Sequence, residues 1–134
     1  MDKVEILILR NLLYNEEYLR KVIPFIKADY YEDSNQRIVF EEIDKFVQEY
    51  NQPATKEVLC IEVEKRQDIN DTTFSEITKL ISYLEDVPTD YEWLCDTTEK
   101  WCRDRAIYLA LMESIALADG KDKDKDRGAI PSIL

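Results

Sequence analysis

The amino-acid sequence predicts an all-α fold, a compact bundle of about five short helices followed by one long helix. Apolar residues recur at helical spacing in almost every segment, and prolines separate the segments from one another. Glycine occurs only at positions 120 and 128, so the first 119 residues lack the most flexible residue type. A chain of 134 residues is long enough to form one domain with its own core.

The first half of the chain contains three predicted helices. Residues 3–14 carry an apolar stripe at helical spacing. Asn15 is placed to cap a short second helix that stops at Pro24. Asp33 and Gln36 form a capping-box pattern, which predicts a third, amphipathic helix that ends before the Asn-Gln-Pro sequence at 51–53.

Two more short helices follow. Thr55 is placed to cap residues 56–66, although residues 61–64 alternate between apolar and acidic as a strand would. We assign this segment as a helix because a lone strand would have no partner. Thr73 and Glu76 form a second capping box, which predicts the start of the next helix.

The longest predicted helix begins at the Thr89–Glu92 capping box and runs for about 30 residues, or about 45 Å, to Asp119. Leu94 and Trp101 recur seven residues apart near its start, so we expect them to pack on the bundle. The same stripe continues beyond the bundle, where it is predicted to be an exposed subunit interface formed by Tyr108, Leu109, Met112, Ile115 and Ala116. The predicted organisation is a globular head over 1–88, a long hairpin helix over 89–119 and a flexible loop with the start of a second arm over 120–134.

The last fifteen residues contain a tract of alternating lysine and aspartate, predicted to be a flexible linker because it has no apolar face. Its aspartates have the one-three-five spacing of a calcium loop, but Arg127 and Ile133 occupy the positions that require glycine and glutamate. The final GAIPSIL is typical of the start of a helix with an apolar face. We therefore expect the long helix to be the first arm of a helical hairpin that is truncated soon after its second arm begins.

Composition excludes several classes of function. The net charge is −11 and the chain has no histidine, which argues against direct nucleic-acid binding and against histidine-dependent catalysis or metal binding. The two glycines cannot form a nucleotide-phosphate loop or a nucleophile elbow. The three cysteines are predicted to be reduced thiols. We see no secretion signal and no membrane span, and therefore expect a cytoplasmic protein without membrane partners.

Scattered stretches of the chain resemble the N-terminal domain of a DnaB-type replicative DNA helicase, in the version carried by large tailed phages. The resemblance covers nearly the whole chain and includes YLRKVIP at 18–24, NQPA at 51–54, TKLIS at 78–82 and GAIP at 128–131. Further matching stretches lie at residues 4–7, 29–32, 40–43, 93–94, 98–100 and 103–106.

The resemblance implies a non-catalytic collar domain. Helicases of this type are ring hexamers whose motor domain hydrolyses ATP with Mg²⁺, and no position here matches the motor's nucleotide-binding loop. This segment should therefore bind no cofactor. Its expected partners are other copies of itself, as a dimer or within a hexamer, together with primase and helicase-loader proteins. The expected location is the cytoplasm of a phage-infected bacterium.

Two other classes of function are open. The charge of −11 is compatible with a free-standing acidic phage protein that mimics DNA or inhibits a host nuclease. However, the acidic residues are dispersed among many lysines and arginines. A carboxylate-dependent di-metal enzyme on a helical bundle would need Glu-x-x-His motifs, which a chain without histidine cannot supply.

Overall fold

The computed structural model describes the backbone of residues 3–126 and the side chains of residues 3–120. The described residues contain no strand, which confirms the all-α prediction. Within residues 3–126 there are six α-helices, α1 (Lys3–Tyr14), α2 (Glu16–Val22), α3 (Ser34–Tyr50), α4 (Lys56–Glu64), α5 (Asp71–Ser82) and α6 (Tyr91–Asp126). Two short 3₁₀ helices that the sequence patterns did not predict, Ile23–Phe25 and Ala28–Tyr30, connect α2 to α3.

Three of the predicted N-caps are confirmed. The Asn15 side chain accepts a hydrogen bond from the backbone N–H of Tyr18, and Thr55 accepts one from Val58. Asp33 accepts hydrogen bonds from two backbone N–H groups in the first turn of α3. Each cap satisfies backbone donors that have no partner within the helix.

Two predicted capping boxes, at Thr73 and Thr89, lie near the start of a helix, but the N-cap is a different residue in each case. The N-cap of α5 is Asn70, whose side chain accepts from the backbone N–H of Thr73. At the start of α6, the Asp90 carboxylate accepts from the backbone N–H of Trp93, whereas the Thr89 hydroxyl donates to a backbone carbonyl in the preceding loop. Asparagine and aspartate are at least as strong as threonine in this position, and they take the role where both are available.

Residues 3–102 form one compact unit, and residues 103–126 belong to a second unit. The core of the first unit lies among α1, α3, α5 and their neighbours, and the start of α6 belongs to it. Its largest fully buried side chains are Ile8, Leu9, Leu12, Tyr18, Leu19, Tyr31, Phe40, Ile43, Leu59, Ile77, Ile81 and Leu84. The finer division of the chain at residues 88 and 119 stays a prediction.

Helix α6 is described over Tyr91–Asp126, so it continues past Asp119, where the sequence patterns predicted its end. Gly120 lies within the helix, where nothing approaches within 4 Å of the position that a Cβ would occupy. A glycine costs an exposed helix only about 1 kcal/mol, and opposite charges three positions apart, as in the Lys-Asp tract, are compatible with a helix. Residues 120–126 are therefore helical rather than a loop. The rest of the predicted loop and second arm, residues 127–134, lies outside the described residues.

Candidate interaction surface on the last helix

The first three turns of α6 are part of the compact unit. Leu94 and Trp101 are both buried, which confirms the prediction that they pack on the bundle. The ring of Trp101 lies 5.9 Å from that of Tyr30, nearly perpendicular to it, and 5.0 Å from that of Tyr31. Aromatic pairs at these separations attract each other beyond the effect of area burial alone. These contacts attach the start of α6 to the segment between α2 and α3.

A buried pair of hydroxyl groups adds a polar contact to this attachment. The Thr98 hydroxyl donates to the backbone carbonyl of Leu94, and its oxygen lies 2.6 Å from the Tyr18 hydroxyl. Because the single proton of Thr98 is already committed, Tyr18 is the donor to Thr98. Burial raises the pKa of the Tyr18 hydroxyl well above its usual range, so this group stays protonated at neutral pH. The pair therefore holds α2 against α6 without any charge.

Beyond Cys102, the large side chains of α6 are exposed rather than buried. Of the apolar residues in this part of the helix, six are exposed by 44% or more of their surface: Ile107, Tyr108, Leu111, Met112, Ile115 and Leu117. Between residues 106 and 118 the one charged residue is Glu113. This part of α6 is therefore an apolar helix facing water.

The structure brings together the five residues that the sequence predicted as an interface. Tyr108, Met112, Ile115 and Ala116 are exposed, and Leu109 is half-buried. At about 100° per residue, all five lie within a sector of about 120° on one side of the helix. They form one continuous strip along the helix.

Ile107 and Leu111 belong to the same surface and were missed. They precede Ile115 at intervals of four, so they form the neighbouring row along the helix. Together with the predicted five they widen the apolar sector to about 200°. We call these seven residues the apolar surface of α6. A search for i, i+4 and i+8 spacing would have found this row, whereas the seven-residue repeat directed attention to the row beside it. Leu117, also exposed, lies on the opposite side.

The charged residues around the apolar surface of α6 lie at its two ends and, with Glu113, along one edge. The Arg105 guanidinium lies 4.9 Å from the centre of the Tyr108 ring, a cation–π arrangement at the start of the surface. Asp119 lies beyond its other end. The middle of the surface thus offers apolar contact area and no ion pair.

The described residues contain no group of three or more carboxylate, thiol or imidazole side chains that could hold a metal ion. The three cysteines form no disulfide and are half-buried. Burial raises the pKa of the Cys102 thiol to about 11, so it stays protonated near neutral pH. No helix in the part of the chain that the structure describes is long and apolar enough to cross a membrane.

The fold defines the chain as an all-α bundle domain that carries one long helix with an uncovered apolar surface. Comparison with curated proteins gives a specific relative: the chain is 30% identical over 136 residues to a DnaB-like replicative helicase of Enterobacteria phage T4. The match covers 96% of this chain and 28% of the helicase. No family profile matches the chain.

The resemblance to a DnaB-type replicative helicase is therefore confirmed. The chain is similar to a segment of such a helicase, since it spans little more than a quarter of the protein that it matches.

Proposed function

We propose that the chain is a non-catalytic assembly and docking segment of a replicative DNA helicase. Copies of it pair through the apolar surface of α6, as a dimer or within a hexameric ring, and primase or helicase-loader proteins dock on the segment. The parent protein unwinds DNA at the expense of ATP. The chain itself contributes contacts rather than chemistry.

The observation that carries this proposal is the exposure of the apolar surface of α6. Large apolar side chains that recur on one side of a helix are rarely left in water, and such patches mark interfaces. Each large apolar side chain contributes roughly 1.5–3 kcal/mol when it is fully buried. A sector as wide as about 200° is broader than the contact strip of a two-stranded coiled coil, which favours more than one neighbour around this helix.

The likeness to the phage T4 helicase supports the identity of the parent protein. We assign ATP hydrolysis and Mg²⁺ binding to other parts of that protein. The reason is that Gly120 and Gly128 are eight positions apart, whereas a nucleotide-phosphate loop requires glycines five positions apart followed by lysine.

The acidic-mimic alternative has weaker support. A DNA mimic needs carboxylates arrayed without compensating cations, and several acidic residues of the compact unit are paired. The Arg66 guanidinium alone forms ion pairs with Glu41, Glu42 and Asp68. Such pairs neutralise part of the field that a nuclease would recognise.

Sedimentation analysis tests the proposal. We expect the wild-type chain to self-associate at tens of micromolar, an affinity of about −6 to −7 kcal/mol. A Leu109→Glu, Met112→Glu double variant places two charges within the apolar surface and should be monomeric at the same concentration.

The matched control is an Ala106→Glu, Ala110→Glu double variant, which adds the same two charges to exposed positions on the opposite side of the same helix. It should associate within about twofold of the wild type. A wild-type chain that stays monomeric, or two double variants that behave alike, would refute assembly through this surface.

A further inference from the structure

The compact unit has a groove that is lined by none of the residues of the apolar surface of α6. It lies between α1, α3 and α5, has a volume of about 640 Å³, and is lined by side chains that include Ile6, Arg10, Gln36, Leu80 and Tyr83. All of these residues belong to the unit formed by residues 3–102.

Two polar atoms of the groove residues have unmet hydrogen-bonding capacity. Arg10 Nε and Gln36 Oε1 are both buried and have no hydrogen-bond partner. Gln36 is only 1% exposed. Buried side-chain donors and acceptors are nearly always paired, because an unpaired one costs its full desolvation. One atom is a donor and the other an acceptor, so a ligand that satisfies both must carry an acceptor and a donor.

The contacts of the charged groove residues leave a cation available to an anionic acceptor. The Asp33 carboxylate is occupied as the N-cap of α3, and the Glu76 carboxylate accepts from Asn35 Nδ2. In contrast, neither Arg10 nor Lys79 forms an ion pair with any described side chain. Neither cation is therefore in direct contact with a carboxylate, while the two acids of the groove already accept hydrogen bonds from other groups. A guanidinium binds a carboxylate through two parallel hydrogen bonds when one is offered.

The neighbouring acid does not fill this role. Arg10 contributes to the lowered pKa of the Glu85 carboxyl, but the main cause of that shift is the hydrogen bond from the Lys56 ammonium group. Glu85 is thus committed to Lys56, and Arg10 influences it only over a longer distance.

The remaining walls are apolar. Ile6 and Leu80 line the groove, and Tyr83 beside them is 73% exposed. An exposed tyrosine over an apolar floor is the type of surface that receives an anchoring side chain from a partner.

We propose that this groove binds the carboxyl-terminal residue of a partner protein whose last side chain is apolar. Such a residue carries a carboxylate for Arg10, a backbone N–H for Gln36 Oε1 and a side chain for the apolar walls, all on one Cα atom. Because both polar atoms are covered in the unbound chain, binding includes rotation of groove side chains. The proposal rests on the docking role proposed above for the existence of a partner.

The smallest probe of this chemistry is N-acetyl-leucine, titrated into the ¹⁵N-labelled full chain. We expect saturable amide shifts at Ile6, Arg10, Gln36 and Tyr83. N-acetyl-leucinamide, which lacks the carboxylate, should bind at least about tenfold more weakly. N-acetyl-glutamic acid α-amide, which carries its carboxylate on the side chain, should also bind at least about tenfold more weakly. Equal binding of the three compounds, or no saturable shift at tens of millimolar, would overturn the proposal.

Variants locate the site. Arg10→Gln should weaken N-acetyl-leucine binding about tenfold or more. Lys45→Gln, which removes a cation from a separate groove between α3 and α4, should leave it within about twofold. Tyr83→Ala changes an exposed side chain and should also weaken binding, which keeps the test valid if Arg10→Gln does not fold. An undiminished affinity in Tyr83→Ala and Arg10→Gln would place the ligand elsewhere. The Leu109→Glu, Met112→Glu variant should bind the probe normally, so a failure of self-association and a failure of this groove are read separately.

Discussion

At the scale of single residues, the hydrogen bond between Tyr18 and Thr98 shows how strongly a buried polar contact depends on both members. Removing the Thr98 hydroxyl by Thr98→Val leaves the Tyr18 hydroxyl buried without a partner, at a cost of about 1–3 kcal/mol. Tyr18→Phe removes that donor, and Thr98 keeps its bond to Leu94. We therefore expect Thr98→Val to lower the free energy of unfolding, measured in urea, by more than Tyr18→Phe does.

The double variant provides the control. Tyr18→Phe with Thr98→Val removes both polar groups, and its loss should be smaller than the sum of the two single losses, since no donor is left unpaired. Strictly additive losses would mean that the two hydroxyls do not interact. Sequence reasoning identified Trp101 on this face of α6 but not Thr98, because a threonine on an apolar stripe has no pattern that distinguishes a buried partner from an exposed one.

At the scale of elements, Arg66 connects the end of α4 to α3. Its guanidinium lies 2.6 Å from a carboxylate oxygen of Glu42, which is only 4% exposed, and also pairs with Glu41 and Asp68. Arg66→Met would leave Glu42 buried with only Lys45 nearby, 3.9 Å away. We expect a loss of about 2–3 kcal/mol in the free energy of unfolding, less than for a fully buried pair because Arg66 is partly exposed.

A matched variant, Arg20→Met, tests whether this effect comes from burial. Arg20 also pairs with a carboxylate, that of Glu16, but both side chains are about half exposed. Exposed pairs of this kind contribute about 0–1 kcal/mol. The two hydrogen bonds that Arg20 also donates to Asn51 are exposed as well, so the variant leaves no buried charge unpaired. If the two variants lost the same stability in thermal or urea unfolding, the buried carboxylate of Glu42 would not explain the role of Arg66.

The elements also show what could be read from the sequence. Helix caps with a local mechanism, such as Asn15, Asp33 and Thr55, were identified correctly because the capping bond lies within one turn. The continuation of α6 past Asp119 was not predicted, because the alternating Lys-Asp tract has no apolar face and its helical structure depends only on weak local interactions. The groove atoms of Arg10 and Gln36 that lack hydrogen-bond partners belong to α1 and α3. No local sequence pattern indicates that these two residues line the same groove.

At the scale of the whole molecule, the charge is divided unevenly. Residues 1–102 contain 12 basic and 23 acidic residues, whereas residues 103–134 contain six of each. Nucleic-acid binding depends on clustered cations that neutralise phosphates. We expect no ATP turnover and weak or no binding of single-stranded DNA at physiological salt.

A coupled turnover assay and a fluorescence-anisotropy titration check this prediction. A submicromolar dissociation constant for single-stranded DNA at moderate salt would contradict it, as would ATP hydrolysis that copurifies with the chain through successive columns. An affinity that persists as salt is raised would further indicate contacts other than phosphate neutralisation.

The scarcity of charge along α6 between residues 106 and 118 has a thermodynamic consequence. Burial of apolar surface carries a negative change in heat capacity, and its driving force near room temperature is almost entirely entropic. An assembly formed through this surface should therefore weaken on cooling. Chains that are associated at warmer temperatures should dissociate when the solution is cooled. Calorimetry at several temperatures would give a binding enthalpy that becomes more favourable with heat, whereas an interface built on ion pairs would show little such slope.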